Sequence, residues 1–186
     1  MSDEPPSARP PGIDDRVDIR IDPRPLSEAE RHWPDVEDLE RMLRIAVGHA
    51  LAIRECHAAE IDFWVTDDAS IRAVNADRLG HDYATDSICF GRPDAAGRVE
   101  GSAVISHETA AREAIEHDVA PEVELCLYAV HATLHMTGMD DADEEDRRGM
   151  RRSEIECLRR MGWSGLSLGD EYARAATASG AVEVDG

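Results

Sequence analysis

In the stretch HATLHMTGMDD, His131 to Asp141, two histidines stand four residues apart, a glycine follows, and two aspartates close the run. Side chains four apart on an α-helix share a face. His131 and His135 can therefore present both imidazoles to one ion, at about 2.0–2.1 Å for zinc. Gly138 breaks the helix and lets the chain turn back, which brings Asp141 within reach as a third ligand. Asp140 and Asp143 stand at similar spacing, and spacing alone does not choose among the three. Three protein ligands leave a fourth position open to water, the pattern of a catalytic zinc site and not of a structural one. The plainer explanation is a pair of polar histidines on a half-buried helix; the helix break and the carboxylate after it tip the balance toward a metal.

The usual metalloprotease helix is H-E-x-x-H, with the Glu as general base. Here that position is Ala132, so a protease on this helix lacks its base. A reaction needing only an activated water and charge neutralisation fits better, and phosphodiester cleavage is one. The acidic run DDADEED has a structural use as well: acidic residues suit the N-cap and first turn of a following helix, which accounts for Asp143, Glu144, Glu145 and Asp146.

The elements that must position these residues are legible from hydrophobic period. Residues 1–15, acidic and proline-rich, read as a disordered leader. Val17–Asp22 alternates as a strand, and PRPLSEAERHWP is a linker. Asp35 to about Arg54 carries Val36, Leu39, Leu43, Ala46, Val47 and Ala50 at helical spacing. Glu60–Asp67 is a strand in which Phe63 and Trp64 face opposite ways, so one of them is core. A helix follows, capped at Asp67 or Asp68 and stopped by Gly80. Thr85–Phe90 and Ser102–Ser106 are strands, joined by a Gly/Pro/Asp loop, GRPDAAGRVEG. HETAAREAIEH is a helix flanked by His107 and His117, which read as cap or surface residues. Pro121–Thr137 is a longer helix, with Pro in its first turn and Gly138 at its end, and Asp143–Met161 is the last. The expectation is a single α+β domain over 16–162, with about four strands in a mixed sheet and about five packed helices, one of them a zincin-like metal helix, and a flexible tail over 163–186.

Composition narrows the chemistry. The 186 residues suffice for one domain with its own core. No apolar run reaches the roughly 18 residues of a membrane span, and the N-terminus lacks a secretory pattern. A cytoplasmic protein is expected. The four cysteines are dispersed and read as reduced core thiols. The formal charge is −20, and every basic residue is Arg. Such a balance argues against broad, non-specific nucleic-acid binding. An anionic substrate must then be received by a local Arg cluster or a metal.

Three ordered blocks resemble the YbeY family of bacterial metal-dependent endoribonucleases. The family signature is close to H-G-x-L-H-L-x-G-Y-D-H, and this chain reads H-A-T-L-H-M-T-G-M-D-D. Val65–Phe90, VTDDASIRAVNADRLGHDYATDSICF, is similar to the family's strand, helix, "LN…DxPTD" loop and strand. Gly101–Ala114, GSAVISHETAAREA, resembles its "GDIVIS" strand and following helix. Together they cover roughly residues 60–162. The resemblance implies a mixed sheet with packed helices, one Zn²⁺ per chain on His131, His135 and Asp141, and single-strand-specific RNA cleavage. It also implies action in 16S ribosomal RNA maturation and ribosome quality control, with ribosomal RNA and small-subunit proteins as partners and neither DNA nor membrane. Four positions depart from the pattern. The third ligand, usually His, is Asp141; the family's Arg after its "LNxxY" is Leu79; the Asp of "GDI" is Ser102; the Gly after the first histidine is Ala132.

The resemblance leaves the general base unassigned, and Asp140 is the nearest carboxylate for that role. Arg78 and His81 are the cationic candidates for holding a phosphate. Asn75, Asp82, Thr85 and Asp86 are candidates to line the cleft, although turn formation explains the aspartates equally well. Arg92 and Arg98 flank the Gly-rich loop. The rival function is of another class: a ribosome-associated assembly or interaction module with weak or lost catalysis, whose acidic surface prefers basic proteins. A third, zinc-dependent hydrolysis of another bond, is disfavoured by Ala132.

Overall fold

In the computed structural model, residues 14–22 and 33–163 are described. These residues form four strands and five helices, in the order β1 (Asp14–Ile21), α1 (Val36–Ile53), β2 (Ala58–Thr66), α2 (Asp68–Leu79), β3 (Ser87–Pro93), β4 (Val99–Ser106), α3 (His107–Glu116), α4 (Pro121–Met136) and α5 (Glu144–Arg160). The sheet order is β1-β2-β4-β3, with β3 alone antiparallel. This is the expected mixed-sheet α+β architecture. β1 begins two residues inside the stretch read as a leader. Residues 1–13, the linker over 23–32 and the tail over 164–186 lie outside the described residues.

Strand alternation sorts the sheet faces. Ile61, Phe63 and Val65 of β2 point into the core. In register beside them stand Val17, Ile19 and Ile21 of β1 and Gly101, Ala103 and Ile105 of β4. Trp64 takes the other face, where its indole N–H donates to Asp22 at 2.9 Å and the Arg20 guanidinium covers its ring.

Across the core face lies α4. Apart from Glu122, His131 and His135, every residue in it is buried. A helix apolar all round is a core helix, and α1, α3 and α5 pack about it while β3 and β4 form its floor. The floor is built of small residues. A Cβ at Gly101 would stand 2.5 Å from Met136 Sδ and 2.6 Å from the Phe90 carbonyl. The C-terminal turn of α4 thus rests directly on β4.

Two expectations fail. The stretch read as one loop, GRPDAAGRVEG, is mostly strand: β3 runs on through Pro93 and β4 starts at Val99. Gly91, at φ 129°, faces Gly101 so closely that a side chain on it would strike the β4 backbone. The glycines mark close strand approach and not a loop, and Pro93 is tolerated because β3 is an edge strand. The turn shrinks to Asp94–Arg98, where Asp94 Oδ1 accepts from the Ala96 and Arg98 amides. His107 is the other. It is buried, not a cap or surface residue, because the preceding Ser106 does the capping and accepts from the Thr109 amide. The His107 ring turns inward, edge-on to Trp33. His117 is the C-cap of α3, as expected, and pairs with the buried Glu124 at 2.8 Å.

Gly101→Ala is expected to destabilise the fold by ~1–3 kcal/mol, because Met136 must leave its position. A lower urea midpoint with an unchanged slope would record it.

Candidate metal centre

The end of α4 shapes the site. Gly138 adopts φ 89°, a left-handed conformation that favours glycine. Its amide bonds to the His135 carbonyl at 2.8 Å, and the Met139 amide bonds back to the Leu134 carbonyl at 3.0 Å. That pair of bonds is the Schellman turn. The turn folds Met139 back over the helix end, and its carbonyl accepts from His135 Nδ1 at 3.0 Å.

His131 is fixed from another element. Glu154, on α5 and only 5% exposed, places Oε1 2.7 Å from His131 Nδ1. A carbonyl oxygen and a carboxylate both accept, so both Nδ1 atoms carry protons. The two Nε2 atoms of the neutral rings are then bare lone pairs, and they face each other at 3.0 Å. Asp141 Oδ1 stands 3.8 Å from His135 Nε2, and one donor atom from each of the three residues lies within 4.8 Å of the others. Two acceptors so close require a positive centre between them. A tetrahedral ion with bonds of about 2.0–2.1 Å separates its donors by roughly 3.4 Å, so the residues present fit a metal with little movement.

Electrostatics say the same of the metal-free pair. Burial works against a charge on His131, but the Glu154 hydrogen bond and charge, helped by Asp86 and Asp141, overcome it and hold that imidazole up at about 9. Burial and the neighbouring His131 charge push His135 down. Without a metal, one proton serves both rings; a divalent cation replaces it.

Asp141, of the three aspartates that spacing left open, is the one at the cluster. Asp143 is the N-cap of α5, accepting from the Glu145 and Asp146 amides, as the acidic run suggested. Asp140 is exposed, and its Oδ1 accepts from the Asp141 and Ala142 amides at 2.7 and 3.2 Å. It thereby sets the turn that aims Asp141. Arg147 fastens the same turn from α5: its guanidinium donates to the Asp141 and Ala142 carbonyls at 3.1 and 2.8 Å.

The cationic candidates have partners of their own. Arg78, at the exposed end of α2, lies 3.3 Å from its neighbour Asp77, and His81 stacks on Tyr83. Asn75 is buried and donates to the Tyr83 carbonyl at 2.9 Å, so it holds the loop and does not line an opening. Asp82 is bound bidentately by Arg72, and Arg98 pairs with Glu60. Asp86 belongs to the site's surroundings: its charge reaches His131 and also Cys89, whose thiol burial, Asp86 and Asp141 together push up to about 12. All four cysteines are free thiols, as expected.

Sequence reading missed Glu154 and Arg147. A signal for Glu154 existed. It shares the buried face of α5 with Met150, Cys157 and Leu158, and a carboxylate in an apolar stripe requires a partner.

Comparison with known proteins agrees with the geometry. The model of the family described as Endoribonuclease YbeY matches residues 27–162. The chain belongs to the YbeY endoribonuclease family. Relatives named Endoribonuclease YbeY include one from Rhodopirellula baltica, 36% identical over 78% of this chain and 76% of its own. Another, from Anaeromyxobacter, is 38% identical over 69% and 68%; one from Heliobacterium modesticaldum is 36% identical over 78% and 93%. A Thermotoga maritima protein solved in solution shares the fold, with a TM-score of 0.53, at 15% identity over 78% of this chain and 89% of that one. The YbeY resemblance read from the three sequence blocks is thereby established, and His131, His135 and Asp141 fall inside the matched region. Among the described residues, no helix is long and apolar enough to cross a membrane.

Glu154→Gln is expected to weaken metal binding by roughly 10–100-fold, since it removes the carboxylate that orients His131; competition with a chromogenic chelator measures it. Stability of the metal-free protein follows the raised His131 value. The contribution is complete below the ordinary value of 6.5 and is lost as pH rises through about 9. Urea midpoints of chelator-treated protein should fall across that window, and Glu154→Gln should flatten the fall.

Proposed function

We propose that this protein is a single-strand-specific endoribonuclease that holds one Zn²⁺ on His131, His135 and Asp141 and acts in 16S ribosomal RNA maturation and ribosome quality control. Membership of the YbeY family supports the reaction class. The observation that carries the metal is the convergence of His131 Nε2, His135 Nε2 and an Asp141 carboxylate oxygen, with an acceptor behind each imidazole. His and carboxylate donors in a three-residue set suit zinc. Bound there, zinc supplies a Lewis acid for a phosphoryl oxygen and a means of making water acidic near neutral pH.

The chain's own residues do the rest. His131 and His135 donate from rings that cannot rotate, because Glu154 and the Met139 carbonyl hold their far nitrogens. Asp141 brings a negative charge where the family signature has a neutral His. The site carries one positive charge less, and its water is a weaker acid than in a three-histidine site. Position 132, where a metalloprotease helix carries its general-base Glu, is alanine, which disfavours peptide hydrolysis. Asp140, exposed beside Asp141, is the carboxylate we assign to proton transfer. Arg78 is our phosphate-holding cation: an exposed ion pair such as that with Asp77 contributes only about 0–1 kcal/mol, so the guanidinium can turn to a phosphate.

The net charge of −20 favours a second reading, an assembly module that binds basic small-subunit proteins. Chelation separates the two: it abolishes RNA cleavage by an enzyme and leaves partner binding by a module intact. Purified protein should contain one zinc per chain by mass spectrometry. His131→Ala should lose both the metal and at least about 100-fold of the cleavage rate on single-stranded RNA, and Asp141→His should retain both. A zinc-free protein, or His131→Ala with undiminished cleavage, refutes the assignment.

A further inference from the structure

The loop between α2 and β3 is built more firmly than a connection requires. Gly80 ends α2 in a left-handed conformation, and the His81 amide bonds back to the Asn75 carbonyl. The buried Asn75 side chain then holds the Tyr83 carbonyl from beneath, and Arg72 grips both oxygens of Asp82 at 2.7 and 3.0 Å. Between these pins the rings of His81 and Tyr83 lie 13° from parallel with centroids 5.5 Å apart. Tyr83 nevertheless remains 44% exposed, and among the described residues it is the one aromatic in the exposed class. Trp64, half-buried on the outer face of the sheet, is covered by Arg20.

The position of this pair matters as much as its rigidity. Tyr83 is three residues from Asp86, so their Cα atoms are at most about 11 Å apart. Asp86 directly precedes β3, and α4, the helix that carries His131 and His135, packs on β3. The aromatic pair therefore lies on the loop that leads into the strand beneath the metal-bearing helix.

We infer that His81 and Tyr83 form a stacking platform for a base of the single-stranded RNA substrate, an inference that rests on the endoribonuclease reading above. The charge balance is the reason such a platform is required. With a net charge of −20 and Leu79 at the family's Arg position, phosphate attraction is weak. A base offers a π-face whatever its identity, so stacking gives affinity that does not depend on cations. Because the loop is held before the substrate arrives, little ordering opposes binding. In this arrangement His81 backs Tyr83, and Tyr83 meets the base.

The test uses the metal-loaded full chain and single-stranded RNA carrying 2-aminopurine at successive positions. Wild type should quench one position on rapid mixing, ahead of cleavage. Tyr83→Ala should lose that quench and raise KM roughly tenfold or more, with the loss falling on KM and not on kcat; Tyr83→Phe should restore both. Metal affinity and thermal midpoint, read in parallel, separate this from misfolding. Cleavage by wild type with Tyr83→Ala unchanged in quench and KM overturns the platform alone, as does a loss in Tyr83→Phe equal to that in Tyr83→Ala. Wild type that neither binds nor cleaves single-stranded RNA overturns the endoribonuclease reading and the platform with it.

Discussion

Two imidazole nitrogens held 3.0 Å apart, with an acceptor behind each ring, need a proton or a metal cation between them. The rest of the structure exists around that constraint. A helix face supplies the spacing. Burial of that helix on all other sides prevents the rings from relaxing apart, and two acceptors behind them, Glu154 and the Met139 carbonyl, keep the protons on the far nitrogens. In the metal-free state Glu154 lifts His131 in spite of its burial, burial and the His131 charge lower His135, and one proton serves the pair.

Each packing feature can be traced to this helix. Small residues on β4 let its last turn settle onto the sheet, and Met136 fills the place a side chain at Gly101 would take. α5 lies alongside and contributes from one face both a buried carboxylate to a ligand and, through Arg147, a clamp on the turn that carries Asp141. The acidic residues that begin α5 serve its N-terminus, with Asp143 as the cap. One short run thus divides its carboxylates by environment: one meets the metal cluster, one shapes a turn, one starts a helix.

How much of this could be read in the sequence follows from how local each interaction is. Periodicity placed all the helices and strands to within a few residues, because burial on one face is written at fixed spacing. The histidine pair was legible for the same reason. Spacing did not choose Asp141 over Asp140 and Asp143, since the choice depends on a turn whose hydrogen bonds spacing does not encode; the family resemblance alone pointed to it. Glycines misled where their role was close strand approach: Gly91 and Gly101 look like loop residues until they are seen opposite each other. His107 was misjudged because the residue before it is the cap. Glu154 was missed because it lies 23 residues from the histidine it serves, although its place in an apolar stripe was a usable sign.

The two histidines differ in what heredity can do to them. His131 depends on the side chain of Glu154, and a single base change in that codon can remove the carboxylate. His135 depends on the main-chain carbonyl of Met139, which any amino acid at 139 would supply. What that support requires instead is the left-handed turn at Gly138. One ligand's support is thus encoded by a chemical group at a distant position, the other's by a backbone shape beside it. Drift among descendants of this chain should therefore strike the two unequally: 138 and 154 are held for the ligands, while 139 answers only to its main-chain bonds and its packing on the core.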